Sequence, residues 1–467
     1  MESNQEVHYE AFFQLCRKVE ELFEADWRET DEAARARKLE REKRAIIGYE
    51  KERLFYQDRI HDIVFSRGWE KTVHPPWYRN LEEAIFHEVY GLAGLAPWVY
   101  DATDVYRSSS SAKLIGDRLY CMIDGKAELQ PQRISARRRE QLKRALLLAT
   151  PRERMEEGFH EVYLHNGIRI TIFSGDRTKK DQDVMVFRKY LLRNLTFEGL
   201  AELGTIPLES VPLLKLMVKT GFNILVSGPV RSGKTTFLQI WQKYEDPSME
   251  GLAVSTDPET PWHELMPEAP IMQLVADGSA LESLTKSLMR GDNDYILLEE
   301  MRDAAAYHLA LEITSTGTMR SKATIHDGSG VNIPYKMASA VYEKYGGNLQ
   351  SLIAQVFRSF QLVFRFAQGY PDRSKKYLMS ICAYQYNLEY DQVSVHELCR
   401  YIPEIKTWKW KADLSWTENV NGLEIMEKEL MRMEELLRNL EMRNPLMGNT
   451  VIYPRYYRPD LREGNPT

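Results

Sequence analysis

Charged side chains of both signs recur at three- and four-residue spacing between residues 28 and 53, with no proline among them. That pattern suits an exposed helix held partly by pairs on successive turns. The helical pattern runs from the start of the chain to about residue 70, where His74-Pro75-Pro76 breaks it. Residues 1–75 therefore read as a helical extension, with the charged stretch 28–53 as a solvated arm within it. From about residue 80 to 195 the period shortens. Leu119-Tyr120-Cys121-Met122-Ile123 before Asp124-Gly125 predicts a strand entering a tight turn. Residues 161–164 and 168–173, flanking His165-Asn166-Gly167, predict a second hairpin. Between them Arg133, Arg137, Arg138, Arg139, Lys143 and Arg144 predict a basic helix with one solvated face.

Beyond residue 200 strand-like and helix-like patterns alternate, which implies a parallel sheet. Apolar runs at 223–227, 252–255, 295–298 and 323–325 read as its strands, and runs at 362–366, 378–383 and 393–396 extend it. An amphipathic helix over 423–443 is expected to dock on its own core, followed by a Tyr/Pro-rich tail. The expected division is 1–75 helical extension, 76–198 α+β domain, 199–410 α/β domain, and 411–467 C-terminal helix and tail.

Composition narrows the function classes. The 467 residues are 43% hydrophobic, enough for several packed cores. Basic residues number 62 against 68 acidic, a net charge of −6, so direct nucleic-acid binding is not expected. No run of about 18 apolar residues suggests a membrane span, and the start lacks the pattern of a secretory signal. Cys16, Cys121, Cys382 and Cys399 form no CxxC pair, which argues against a zinc ribbon and for reduced thiols.

The chemistry concentrates after the 223–227 run. Gly228-Pro-Val-Arg231-Ser232-Gly233-Lys234-Thr235-Thr236 fits G-x4-G-K-[ST] between a strand and a helix. Backbone N–H groups of such a loop cradle phosphate oxygens, and the helix N-terminus adds its dipole. Lys234 supplies charge at the β- and γ-phosphates, and the Thr235 hydroxyl can ligate Mg²⁺. ATP and Mg²⁺ are the cofactors expected. A second acidic element is needed at the end of a neighbouring strand, and Glu299-Glu300 after Tyr295-Ile-Leu-Leu supplies it. One of the two carboxylates can hold the Mg²⁺ shell while the other orients or deprotonates the attacking water.

Together these stretches resemble the type II/type IV secretion and pilus-assembly ATPases, nearest to the Tad-pilus (CpaF-like) branch. The phosphate loop, Glu299-Glu300-Met-Arg302-Asp303, and Thr316-Gly317 followed by Thr324-Ile325-His326 carry the resemblance. Residues 81–97, 168–170 and 186–189 resemble the family's N-terminal domain in the same order. The resemblance implies a RecA-like P-loop core, preceded by a smaller α+β domain, in a cytoplasmic homo-hexamer. That ring would sit at the inner face of the membrane, attached through an inner-membrane platform protein. It implies Glu300 as the hydrolytic glutamate, His326 as γ-phosphate sensor, and Arg169 and Arg188 as arginines closing over the phosphates.

Departures from the family pattern bear on rate. Arg231 stands where glycine is usual, Glu299 replaces the glycine before the catalytic glutamate, and Thr318 replaces the histidine of T-G-H. The family's acidic box between the phosphate loop and the second acidic strand is weak here, with Asp257 or Glu259 on offer and no clean match. The expected function is a motor ATPase for pilus assembly or export. Its alternatives are a nucleotide-binding structural subunit with little hydrolysis and a conjugative DNA-transfer ATPase.

Overall fold

The structure, a computed structural model, describes residues 9–25, 32–149, 158–189, 196–255, 260–276, 278–288, 293–420 and 426–457. The chain forms two compact units, Met1–Leu191 and Leu192–Thr467.

The first unit is built around an antiparallel sheet in the order β3-β2-β1-β6-β5-β4. Its strands are β1 Ser111–Ile115, β2 Arg118–Ile123, β3 Lys126–Arg133, β4 Phe159–Tyr163, β5 Arg169–Phe173 and β6 Val184–Arg188. The turn between β2 and β3 is Asp124-Gly125, both at positive φ (46° and 76°), the twist that a two-residue hairpin needs.

The N-terminal helices contribute to this unit's core. Helix Glu10–Ala25 buries Phe12, Leu15, Cys16, Val19 and Phe23, one apolar stripe at helical spacing. Helix Glu50–Ser66 buries Tyr56, Ile60 and Val64 in the same cluster as Leu114, Ile170 and Phe187 of the sheet. Only helix Glu32–Ile47 answers to the solvated pattern, and its last residues, Ala45 to Ile47, are buried too.

The basic helix, Ala136–Ala149, departs from expectation. Arg138 and Arg139 are buried rather than solvated. Arg138 donates to the carbonyls of Val89 (2.6 Å) and Gly91, at the end of helix Leu81–Tyr90. A cation there satisfies orphan carbonyls and complements the dipole. Arg139 makes a two-pronged pair with Asp183, at 3.0 Å on each prong. A charge run read alone cannot show that carbonyls and a carboxylate wait for it.

The second unit holds a mixed sheet in the order β15-β14-β13-β12-β7-β11-β10-β8-β9. The strands are β7 Ile224–Ser227, β8 Gly251–Ser255, β9 Ile271–Val275, β10 Tyr295–Met301, β11 Lys322–Ile325, β12 Leu362–Gln368, β13 Lys376–Asn387, β14 Gln392–Ile402 and β15 Thr407–Trp410. From β9 to β12 all neighbours are parallel, and β13 to β15 continue antiparallel. Sequence patterning did not anticipate β9 and β15, both at the sheet's edges. Helix Glu427–Arg443 docks through Met433, Leu437 and Leu440, which join Leu213, Met217 and Trp410 in one core. Residues 423–425 of the expected helix, and Asp257 and Glu259, lie outside the described residues.

A buried charge cluster fixes one end of this sheet. Glu245, just past the helix Lys234–Lys243, pairs with Arg320 (2.6 Å) and with Lys322 at the start of β11 (2.8 Å). Burial pushes Lys322 down to about 8, with Glu245 pulling against it. Its ammonium also lies 4.4 Å from the ring centroid of Tyr295. All four cysteines are buried and none forms a disulfide; burial pushes the Cys121 and Cys382 thiols up to about 12.

Removing one member of a buried ion cluster leaves the others uncompensated. Glu245→Ala should therefore cost the second unit about 3–5 kcal/mol in denaturant unfolding. An unfolding midpoint unchanged by that substitution would show that the cluster does not hold β11.

Candidate functional site

The site forms where parallel strands end. β7 runs straight into the phosphate loop, which opens into helix Lys234–Lys243. The loop's shape explains its glycines. Gly228 has φ +147°, and a Cβ there would lie 2.3 Å from the Phe366 carbonyl oxygen. Gly233, the residue before the helix, has φ +94°. Arg231, at the position where glycine is usual, adopts φ +63°, so the loop keeps the left-handed turn at a cost of about 1–2 kcal/mol. Ser232 is fully buried beneath the loop, while Thr235 and Thr236 are half-buried in the helix's first turn.

Lys234 is buried rather than standing at the loop's rim. Its ammonium donates to the Pro229 carbonyl (2.9 Å) and lies 3.4 Å from Nδ1 of His326. His326 directly follows β11, the strand beside β7. With Lys234 donating to Nδ1, the imidazole proton belongs on Nε2, which faces Oε1 of Glu300 at 2.6 Å. Lys234, His326 and Glu300, read from three separate motifs, thus form one connected chain of contacts.

A kink in β10 aims Glu300. The pairing of β10 with β11 shifts between Leu298 and Met301: three steps on β10 face two on β11, from Ala323 to Ile325. Such a bulge leaves an extra residue and turns its side chain out of the alternation. Glu300 takes φ +64° in it. Its N–H donates to the Thr324 hydroxyl at 2.8 Å. Thr324 and His326, two residues apart, therefore hold the main chain and the side chain of the same glutamate. Arg302 donates to the other carboxylate oxygen at 2.7 Å. Burial pushes the Glu300 carboxyl up, but the hydrogen bonds from Arg302 and His326 outweigh it and hold the group below the ordinary carboxylate range. Glu299 is buried and lies opposite Ser255, the last residue of β8, in the parallel register.

Three further side chains steady this end, two of them outside every motif read from the sequence. Lys336 donates to the His326 carbonyl and lies 3.5 Å from Asp327. Arg365 on β12 donates to the Gly328 carbonyl (3.3 Å), and Thr324 acts as described above. They come from a helix and strands that only the fold brings together. Only the T-x-H pattern, through Thr324, carried a signal.

Thr316, Gly317 and Thr318 stand elsewhere. They precede β11, so strand β11 separates them from His326. The Thr318 carbonyl accepts from the side chain of Asn223, which leads into β7. The replacement of histidine by Thr318 thus falls at the opposite end of these strands from the phosphate loop. Arg169 and Arg188 belong to the first unit and face each other across the β5–β6 pairing. Arg169 is buried beside Glu161, 3.3 Å away, and Arg188 is half-buried.

The residues fit a nucleotide and its metal. The loop presents main chain stripped of side chains at its tightest point, with a lysine and a helix N-terminus converging on it. The Thr235 hydroxyl and the Glu299 carboxylate are hard oxygen donors of the kind that Mg²⁺ takes. Among the described residues no cluster of three or more His, Cys, Asp or Glu could hold a metal by itself. No helix there is long and apolar enough to cross a membrane.

Residues 179–400 match the profile of a family described as Type II/IV secretion system protein. An uncharacterized protein of Methanocaldococcus jannaschii is 25% identical over 277 residues, 55% of this chain and 97% of that one. Among solved structures, the VirB11 ATPase of the Brucella suis type IV secretion system is 18% identical. It covers 62% of this chain and 92% of its own, with a TM-score of 0.33. The pilus retraction motor PilT with bound ADP is 14% identical, covering 78% and 96%, with a TM-score of 0.45. Structural likeness at that level carries no functional weight, whereas the family profile spans the phosphate loop, β10 with Glu299-Glu300, and the Thr324-x-His326 box in their order. Over residues 179–400 the chain is similar to the type II/IV secretion system protein family.

Proposed function

We propose that this chain is a Mg²⁺-dependent ATP hydrolase that works as one subunit of a hexameric secretion or pilus motor. The observation that supports it is the connected set Lys234–His326–Glu300 at the mouth of the phosphate loop. Lys234 binds the β- and γ-phosphates, and the loop's N–H groups and the helix N-terminus share their charge. Thr235 and Glu299 would hold Mg²⁺, which when bound neutralises charge on the phosphate oxygens. Glu300 orients the attacking water and accepts its proton, and His326 reports the γ-phosphate by trading its contacts with Lys234 and Glu300. Arg169 and Arg188 would close over the phosphates from a first unit, in the manner of arginine fingers.

The ring would act at the inner face of the cytoplasmic membrane through a platform protein, without handling nucleic acid directly. The spacing from Thr316-Gly317 to His326 favours the Tad-pilus branch. A second reading, a nucleotide-holding structural subunit with little turnover, draws on one observation. Both carboxylate oxygens of Glu300 already accept a bond, from His326 and Arg302, so a water held there shares its acceptor with one of them and meets a weakened base.

Steady-state hydrolysis by the purified chain separates the two readings. Lys234→Ala should reduce turnover to background while circular dichroism stays native, since the lost bond to Pro229 costs only about 1 kcal/mol. Undiminished activity in that variant would remove the site assignment. Glu300→Gln should bind Mg²⁺-ATP normally but turn over about 10²-fold or more slowly. A larger loss from Glu299→Gln than from Glu300→Gln would exchange their roles. Specific activity should rise with protein concentration as rings form, measured beside light scattering, and Arg188→Ala or Arg169→Ala should flatten the rise. A fully active monomer indifferent to both changes would exclude the ring mechanism.

A further inference from the structure

A nucleoside triphosphate lying along the phosphate loop has two ends, and the sheet order separates them. β7 is flanked by β11 on one side and β12 on the other. His326 and Glu300 follow β11 and end β10, so the γ-phosphate belongs to that side under the reading above. The base must leave toward β12.

That flank is built. β12 and β13 reach both glycines of the loop: a Cβ on Gly228 would strike the Phe366 carbonyl, and one on Gly233 would lie 3.8 Å from Cγ of Lys376. The two strands run past the loop through the pairs Ala367–Tyr377 and Gln368–Lys376. The turn between them is tightly braced. Asp372 accepts from the N–H and hydroxyl of Ser374 (2.9 and 2.6 Å), and the Gly369 N–H donates to the Lys375 carbonyl at 2.9 Å. A Cβ on Gly369 would meet the Asp372 carbonyl oxygen at 2.6 Å. From this braced turn Tyr370 projects with 91% of its surface exposed, more than any other large apolar side chain among the described residues. It stands four residues beyond Phe366, at most about 13 Å of extended chain, a reach comparable with that of a nucleoside from its phosphates.

We propose that the turn 369–375 is the nucleobase wall of the nucleotide site and that Tyr370 stacks on the base. The proposal rests on the ATP reading of the loop. A phenol ring on a stiff turn loses little freedom on binding, and every base offers a π-face to it, so the contact adds affinity with little choice among bases. Inorganic tripolyphosphate, which has no base, should not sense it.

Titration calorimetry on the full chain with Mg²⁺ decides the matter, using ADP and tripolyphosphate as separate ligands. Tyr370→Ala should weaken ADP about tenfold and leave tripolyphosphate unchanged, whereas Tyr370→Phe and Tyr370→Trp should keep ADP binding. The exposed position makes loss of the fold an unsuitable explanation for any change. Equal ADP affinity in Tyr370→Ala and the native chain overturns the proposal. So does an equal loss for both ligands, which would make the turn a prop for the loop. Failure of the nucleotide reading itself looks different: the native chain would bind neither ligand, or Lys234→Ala would bind both unchanged.

Discussion

In a parallel sheet the strands end at one edge, so groups that follow those ends become neighbours however far apart they lie in the chain. This constraint organises the second unit. β7, β11 and β10 lie side by side and parallel, which sets Lys234, His326 and Glu300 within contact although 92 residues separate the first two. The same rule sends Thr318 to the opposite edge, where it meets Asn223 instead of phosphate. Position relative to the strand, more than proximity in the sequence, decides which substitutions bear on the chemistry. The Glu245 cluster anchors the other end of β11 and so fixes the strand whose far end carries His326.

Backbone conformation is spent unevenly around that edge. Arg231 and Glu300 both occupy the left-handed region, where a side chain costs about 1–2 kcal/mol. Glu300 is held there by Thr324 and His326, whose bonds offset a strain of that size. The bulge exchanges regular pairing for direction: without the extra residue, a carboxylate on β10 would point to one face of the sheet or the other.

Much of this was legible in the sequence because it is local. A phosphate loop is a contiguous string, and its glycines report the backbone they must adopt. Apolar runs marked most of the strands, and the Asp124-Gly125 turn followed from its residues. What could not be read depends on distant partners. Arg138 and Arg139 looked like a solvated face because Val89, Gly91 and Asp183 are far away in the chain. The apolar stripe of helix Glu10–Ala25 showed amphipathicity but not the cluster that receives it. The bulge at Glu300 arises from a mismatch between two strands, and neither strand alone encodes it. Lys336 and Arg365 brace the loop after His326 from elements that carry no motif.

The burial of all four cysteines has a practical side. Thiol reagents attack the thiolate, and these sulfurs are both covered and held in the protonated form. Two of them, Cys16 and Cys121, lie in the first unit and two, Cys382 and Cys399, in the second. The native chain is therefore silent to alkylating dyes until a unit opens, and each unit carries its own timer for that opening. A single cysteine placed on the surface would accept a fluorophore against almost no background.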